Sequence, residues 1–393
     1  MKETNRTETM YDIDYQRLGD YIREVNVRNR ELKVTKPMGI NIDKHFMPSV
    51  ANIIGTDLSA YKLVCKNQFA CNLMHVGRDE KIPMAMWNDA NPIIVSPAYF
   101  VFEITKTEDL LPEYLMMWFR RAEFDRNAWF YTDADVRGGM NKDALLDMRF
   151  PIPTLARQRE IVSEYEALTR RIRLNEQMVA KLEETAQALY RKMFVDGVDK
   201  ENLPEGWRRG TIGDVCETQY GYTETATTEV VGPKFLRITD IVNNRINWSK
   251  VPYCRISDCD FKKYKLELGD IVVSRTGANI GWARQIKGSI PDSVFASFLI
   301  RIIVKEPILQ WLIGHLVESS DFKAFVSANQ QGSAQPQANA NVLVKYPLLI
   351  PNEETLQHYN FQILPINRNV CLIEQENSLL TELQSLLLAR MGK

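Results

Sequence analysis

Residues 161–193 read IVSEYEALTRRIRLNEQMVAKLEETAQALYRKM, and the spacing of the apolar positions in that run decides the architecture. Ile161, Tyr165, Leu168, Ile172, Val179, Leu182, Ala186, Leu189 and Met193 follow one another at heptad spacing, with Asn175 the polar member of the seam. A helix that merely covers its own domain needs no such strict repeat, whereas a seam held over about four heptads describes a helix paired with another. Leu168, Ile172, Asn175, Val179 and Leu182 are therefore expected to be pairing residues.

Moving outward, the seam has a second copy. Adding 198 to each number gives Tyr359, Ile363, Ile366, Val370, Ile373, Asn377, Leu380, Gln384, Leu387 and Met391. Val370, Ile373, Asn377, Leu380 and Leu387 become the expected partners, and the buried amides of Asn175 and Asn377 are the kind of polar interruption that fixes register. Pro153 and Pro351 punctuate the two starts, and Thr154 ahead of Arg157-Gln158 suits a cap. Pro365 lies early in the second seam, where an interior proline removes one backbone bond, so a kink or a helix start near Ile366 is expected.

The repeat extends beyond the helices. Arg17-Leu18-Gly19-Asp20 is echoed by Thr211-Ile212-Gly213-Asp214, an offset of 213 − 19 = 194. Phe150-Pro151-Ile152-Pro153 matches Leu348-Leu349-Ile350-Pro351, an offset of 351 − 153 = 198. Two heads of unequal loop length thus precede two stalks in register. Boundaries follow at 1–152 for the first head, 153–198 for the first helix, 199–350 for the second head and 351–393 for the second helix. Lys234–Ile238, Asp270–Ser274 and Phe298–Val304 in the second head, and Asp57–Cys65 and Ile93–Ile104 in the first, read as strands. Pro112–Phe130 and Pro307–Ala328 read as helical, so each head is α+β.

Composition narrows the function. The 393 residues are 45% hydrophobic and 25% charged, enough to bury two cores, and the net charge of −1 argues against holding nucleic acid by bulk charge alone. Six scattered cysteines without a C-x-x-C pair suit a reducing, cytoplasmic setting, and Cys65, Cys71 and His75 lack a fourth zinc ligand. The polar start and the absence of a long apolar run point away from a membrane. A methyltransferase reading fails because Asn91-Pro92-Ile93-Ile94 lacks the second proline and the aromatic of the catalytic motif. Gly277–Gly281 lacks the Gly-Lys-Ser/Thr of a phosphate loop and reads as a turn between strands. No catalytic set and no metal site emerges.

The order of motifs resembles a known family. Ile212-Gly213-Asp214, Phe235–Ile241, Leu268–Gly277 and Ile280-Gly281, followed by a proline and a long helix, look like the target-recognition domains of specificity subunits in type I restriction-modification systems. The entry Leu203-Pro204-Glu205-Gly206-Trp207 also matches, and the first head looks like a divergent member. The resemblance implies two target-recognition domains separated by two long antiparallel coiled-coil helices, a pseudo-two-fold repeat. It further implies double-stranded DNA with a bipartite site as ligand, two methyltransferase subunits docked on the helices, and restriction subunits joined through the complex. S-adenosylmethionine, ATP and Mg would then sit on partner subunits. A scaffold or antirestriction protein of the same fold is the alternative.

Within that resemblance the segment before each final strand lies near DNA, which nominates Arg137, Asn141 and Lys142 in the first head and Gln331, Ser333 and Gln335 in the second. Asn and Gln suit adenine edges. Tyr220, Arg237, Arg275 and Thr276 are candidates to hold phosphates, although strand-end packing explains them equally.

Overall fold

The computed structural model describes residues 15–49, 55–74, 76–132, 138–242, 245–329 and 338–392. Two compact units emerge, Met1–Arg171 with Leu380–Lys393, and Ile172–Leu379.

The described strands of the first unit are β1 (Tyr15–Arg17), β2 (Ile22–Glu24), β3 (Pro37–Ile40), β4 (Phe46–Pro48), β5 (Lys62–Val64), β6 (Phe69–Cys71), β7 (Met84–Met86), β8 (Ile93–Val95), β9 (Phe100–Ile104) and β10 (Arg149–Pro151). They build an antiparallel sheet of order β2-β9-β6-β7, a second sheet of order β4-β3-β8-β5, and the separate pair β1-β10. Side chains alternate along β6 and β9, so Phe69 and Phe102 stack toward helices Pro112–Phe119 and Ala122–Phe130, while Ala70 and Val101 join Ile93 and Val95 on the other face.

The second unit holds β11 (Arg208–Thr211), β12 (Cys216–Tyr220), β13 (Lys234–Leu236), β14 (Ile271–Ser274), β15 (Ala283–Gln285), β16 (Ser293–Phe295), β17 (Leu299–Val304) and β18 (Pro347–Ile350). Its main sheet runs β12-β17-β14-β15 with every pairing antiparallel, which repeats the first unit's β2-β9-β6-β7 strand for strand. A parallel pair β13-β16 answers β3-β8, and β11-β18 answers β1-β10. The ladders carry the sequence offsets. Gln16 faces Phe150 and Gly210 faces Leu348, so the entry strands differ by 210 − 16 = 194 and the exit strands by 348 − 150 = 198. Helices Gln310–Val317 and Ser320–Ala328 cover one face, as their counterparts do in the first unit.

The long helices span Leu155–Arg191, continuing as a π turn over Lys192–Asp196, and Glu353–Arg390. Thr154 Oγ1 accepts from the Arg157 amide at 3.4 Å and Asn352 Oδ1 from the Thr355 amide at 3.0 Å, capping both starts. The expected start near Ile366 is corrected: the second helix begins at Glu353 and its assignment continues through Pro365 to Arg390. Its first turns are held by tertiary burial of Leu356, Tyr359 and Ile363 in the second head's core, while the carbonyl of Phe361 that loses a donor belongs to an exposed residue that water can serve.

Within the second unit Asn175 Nδ2 donates to Asn377 Oδ1 at 2.9 Å and to Glu376 Oε2 at 2.9 Å. Phe194 meets Tyr359 at 4.8 Å between ring centroids, so the helices run antiparallel there. Val179 and Val370 are buried and Ile172, Leu182 and Ile373 half-buried. Within the first unit Val162 and Met391 share one core, Gln384 Nε2 donates to Thr169 Oγ1 at 2.7 Å, and Leu168, Leu380 and Leu387 are half-buried.

Candidate nucleic-acid interface

In the second head, β14 ends in Arg275-Thr276-Gly277, and Gly277 takes φ +73°, a left-handed conformation that favours glycine, before a 3₁₀ turn leads to β15. The Arg275 carbonyl accepts from the Ala338 amide at 2.8 Å, and the Tyr220 hydroxyl at the end of β12 accepts from the Ala340 amide at 3.0 Å. The Arg275 guanidinium lies 4.9 Å above the Tyr220 ring centroid and donates through Nη1 to the Ser297 carbonyl at 3.4 Å. Thr276 is buried beside them, its carbonyl receiving Ser274 Oγ at 3.5 Å. Tyr220, Arg275 and Thr276 therefore meet where the chain enters helix Ala340–Val344, whose cap is Asn339.

Arg237 stands apart from that group: its guanidinium forms two bonds of 3.0 Å to Asp240, which raise its pKa, and its amide donates to the same carboxylate. Gln331, Ser333 and Gln335 lie outside the described residues, as does Arg137 in the first head.

The first head repeats the arrangement with other side chains. The Met140 amide donates to the Leu73 carbonyl at 2.8 Å, the counterpart of Ala338 to Arg275, with 338 − 140 = 198. Asn141 Oδ1 accepts from the Asp143 amide at 2.9 Å and caps helix Lys142–Asp147, as Asn339 does 198 residues later. Lys142 Nζ sits 2.6 Å from Glu24 Oε2 and 5.2 Å from the Phe100 ring centroid, replacing the bond from Ala340 to Tyr220. Gly77 and Gly138 cross here, the Gly77 amide donating to the Gly138 carbonyl at 2.7 Å. A Cβ on either would lie 2.8 Å from the other's Cα, so both must be glycine. Trp129, Phe130 and Tyr131 are exposed just ahead of this crossing.

Sequence reasoning missed Leu73, Gly77, Gly138, Glu24, the cap Asn339 and the backbone bonds at Met140 and Ala338. The offset of 198 already aligned Asn141-Lys142 with Asn339-Ala340, and that was the available signal. Among the described residues no group of His, Cys, Asp or Glu is arranged to hold a metal. Cys65 is exposed while Cys71 is buried, which pushes its thiol far up, and His75 lies outside the described residues.

Comparison with known proteins bears first on the second head. The profile of the type I restriction modification DNA specificity domain matches residues 204–384, the second head and most of its stalk. That stretch, 181 of the 393 residues, is similar to the DNA specificity domain of type I restriction-modification systems. The crystal structure of the type I restriction-modification system S subunit from M. genitalium shares its fold at a TM-score of 0.52 and 11% identity, over 100% of this chain and 98% of that one. The HsdS subunit from Thermoanaerobacter tengcongensis aligns over 98% and 99% of the two chains, at 17% identity and a TM-score of 0.37. No curated protein sequence matches the chain. The first head lies outside the matched profile, and its kinship with the second is carried by the repeated strand order.

Proposed function

We propose that each head reads one half of a bipartite site in double-stranded DNA, and that the long helices dock two methyltransferase subunits, through which restriction subunits join. The observation that carries this reading is the repeated anchor, Met140 to Leu73 and Ala338 to Arg275, which presents a matching face on both heads. Two copies of one face with different side chains suit two half-sites of different sequence. Leu174 and Met178 on the first helix and Leu372 and Leu379 on the second are exposed apolar side chains that suit helical partners. The described cations Lys142 and Arg237 are matched by Glu24 and Asp240, so much of the phosphate grip falls to partner subunits. This chain carries no chemical step; S-adenosylmethionine, ATP and Mg belong to the partners.

The test is a map of methylated adenines in cells that express the chain with its partner subunits. A split motif with a fixed gap is expected, and exchange of residues 204–350 for another head should change one half alone. Assembly without any split motif would leave a scaffold, and a head exchange that altered both halves would end the modular reading.

A further inference from the structure

We infer that Tyr220 and Arg275 are positioning residues that set the second half-site's readout by holding the chain at Ala338–Ala340, and are not themselves phosphate contacts. The inference rests on the reading that the second head recognises one half-site.

Three observations converge on it. The Arg275 carbonyl and the Tyr220 hydroxyl each take one amide of the same short segment, Ala338 at 2.8 Å and Ala340 at 3.0 Å. The guanidinium is turned inward, over the Tyr220 ring at 4.9 Å and toward the Ser297 carbonyl at 3.4 Å, so it braces the ring that carries the hydroxyl. The first head secures the matching two residues, Met140 through the Leu73 carbonyl and Lys142 through Glu24, with no arginine at the position of Arg275. What the two heads share is the anchoring of this segment, whereas the cation is peculiar to one. A phosphate contact needs a guanidinium aimed at solvent, and a positioning role needs it packed on the anchor.

The segment so held follows directly in sequence on the stretch that contains Gln331, Ser333 and Gln335, which the sequence nominates for base contact. Base readout depends on backbone placement more than on the identity of the side chain alone.

The assembled complex with its methyltransferase subunits is the material for the test. Tyr220→Phe removes the hydroxyl and keeps the ring; Arg275→Met removes the cation and keeps the carbonyl. Binding is measured across a salt series on cognate DNA, on DNA mismatched in either half, and on non-specific DNA. Each variant is expected to lose about tenfold in discrimination at the second half, the scale of one hydrogen bond, with first-half discrimination and the salt slope unchanged. A uniform loss on all DNA with a salt slope smaller by about 1 would mark Arg275 as a phosphate contact and overturn the inference. So would unchanged second-half discrimination, or equal loss at both halves. If the unmodified complex shows no preference at either half, the reading beneath the inference fails instead.

Discussion

On the central strand of the first head Val101 is fully buried beside Ala70, among Ile93 and Val95. The matching ladder position in the second head, opposite Val272, holds Arg301, nearly as buried, which bonds Asp270 at 2.9 Å and the Lys265 carbonyl at 2.7 Å and reaches Gln219. The sixth residue of the first covering helix is Met117 in one head and His315 in the other, 315 − 117 = 198. At the start of the stalks the contrast reverses. Gln158 is wholly buried, accepting from the Leu111 amide and donating to the Asp109 and Pro153 carbonyls, whereas its counterpart Leu356 is apolar. Strand order therefore survives exchange between an apolar side chain and a polar one that brings its own partners. The fold is carried by which positions face inward, and the chemistry at each is open to divergence.

The sharpest way to break that comparison is to remove one partner of a polar solution. Arg301→Met should cost about 3–5 kcal/mol in denaturant unfolding, because Asp270 is left charged and buried without its counterion. Adding Asp270→Leu should recover most of that loss by converting the site to the first head's apolar form. An Arg301→Met protein within about 1 kcal/mol of the parent would mean that the pair holds nothing in place.

The same contrast explains what the sequence disclosed. The stalks were legible because heptad spacing reports a continuous apolar seam, and the β-strands Ile271–Ser274 and Leu299–Val304 because they are apolar runs bounded by turns. The continuous helix through Pro365 was not, since local propensity argues against it and only the distant core around Tyr359 supplies the burial that overrides it. The site was half legible. Arg275 and Tyr220 stand out by type, but their partners are the amides of Ala338 and Ala340, and a backbone bond leaves no mark on side-chain identity. Gly77 and Gly138 were hidden for a related reason: a close crossing is a property of two distant segments, and neither glycine announces the other.

A smaller effect tests the Met117 and His315 exchange. Burial pushes the His315 imidazole down to about 4, so it is neutral in the folded chain, and Tyr359 Oη shares a hydrogen bond of 2.7 Å with its Nδ1. With the folded value depressed below the ordinary 6.5, the unfolded chain binds the proton first as pH falls. His315's contribution is thus fully present above pH 6.5 and is lost progressively between 6.5 and 4. His315→Leu should cost about 1–3 kcal/mol at pH 7 by stranding the Tyr359 hydroxyl, and should flatten the loss of stability between pH 6.5 and 4. Thermal midpoints taken across that range decide it; an acid slope as steep as the parent's would place the proton uptake elsewhere.

The smallest expected effect separates the two anchors themselves. In the first head the residue after the cap is held by charge, Lys142 to Glu24 at 2.6 Å with side chains 45% and 37% exposed, and Lys62 stands 3.8 Å from the same carboxylate. In the second head the equivalent residue is held by a neutral hydroxyl, Ala340 to Tyr220. Exposed ion pairs contribute about 0.2–1 kcal/mol and fade as salt shortens the Debye length, while a neutral hydrogen bond is nearly indifferent to salt. Glu24→Gln should therefore weaken first-half discrimination by no more than about fivefold at low salt and have almost no effect near 1 M, with the second half unchanged throughout. Because all DNA binding weakens with salt, the quantity to follow is the ratio of first-half to second-half discrimination in one complex, in which the shared electrostatic loss cancels. A ratio that moved equally at every salt concentration would show that Glu24 acts through shape, and the two anchors would then be alike in physics as well as in place.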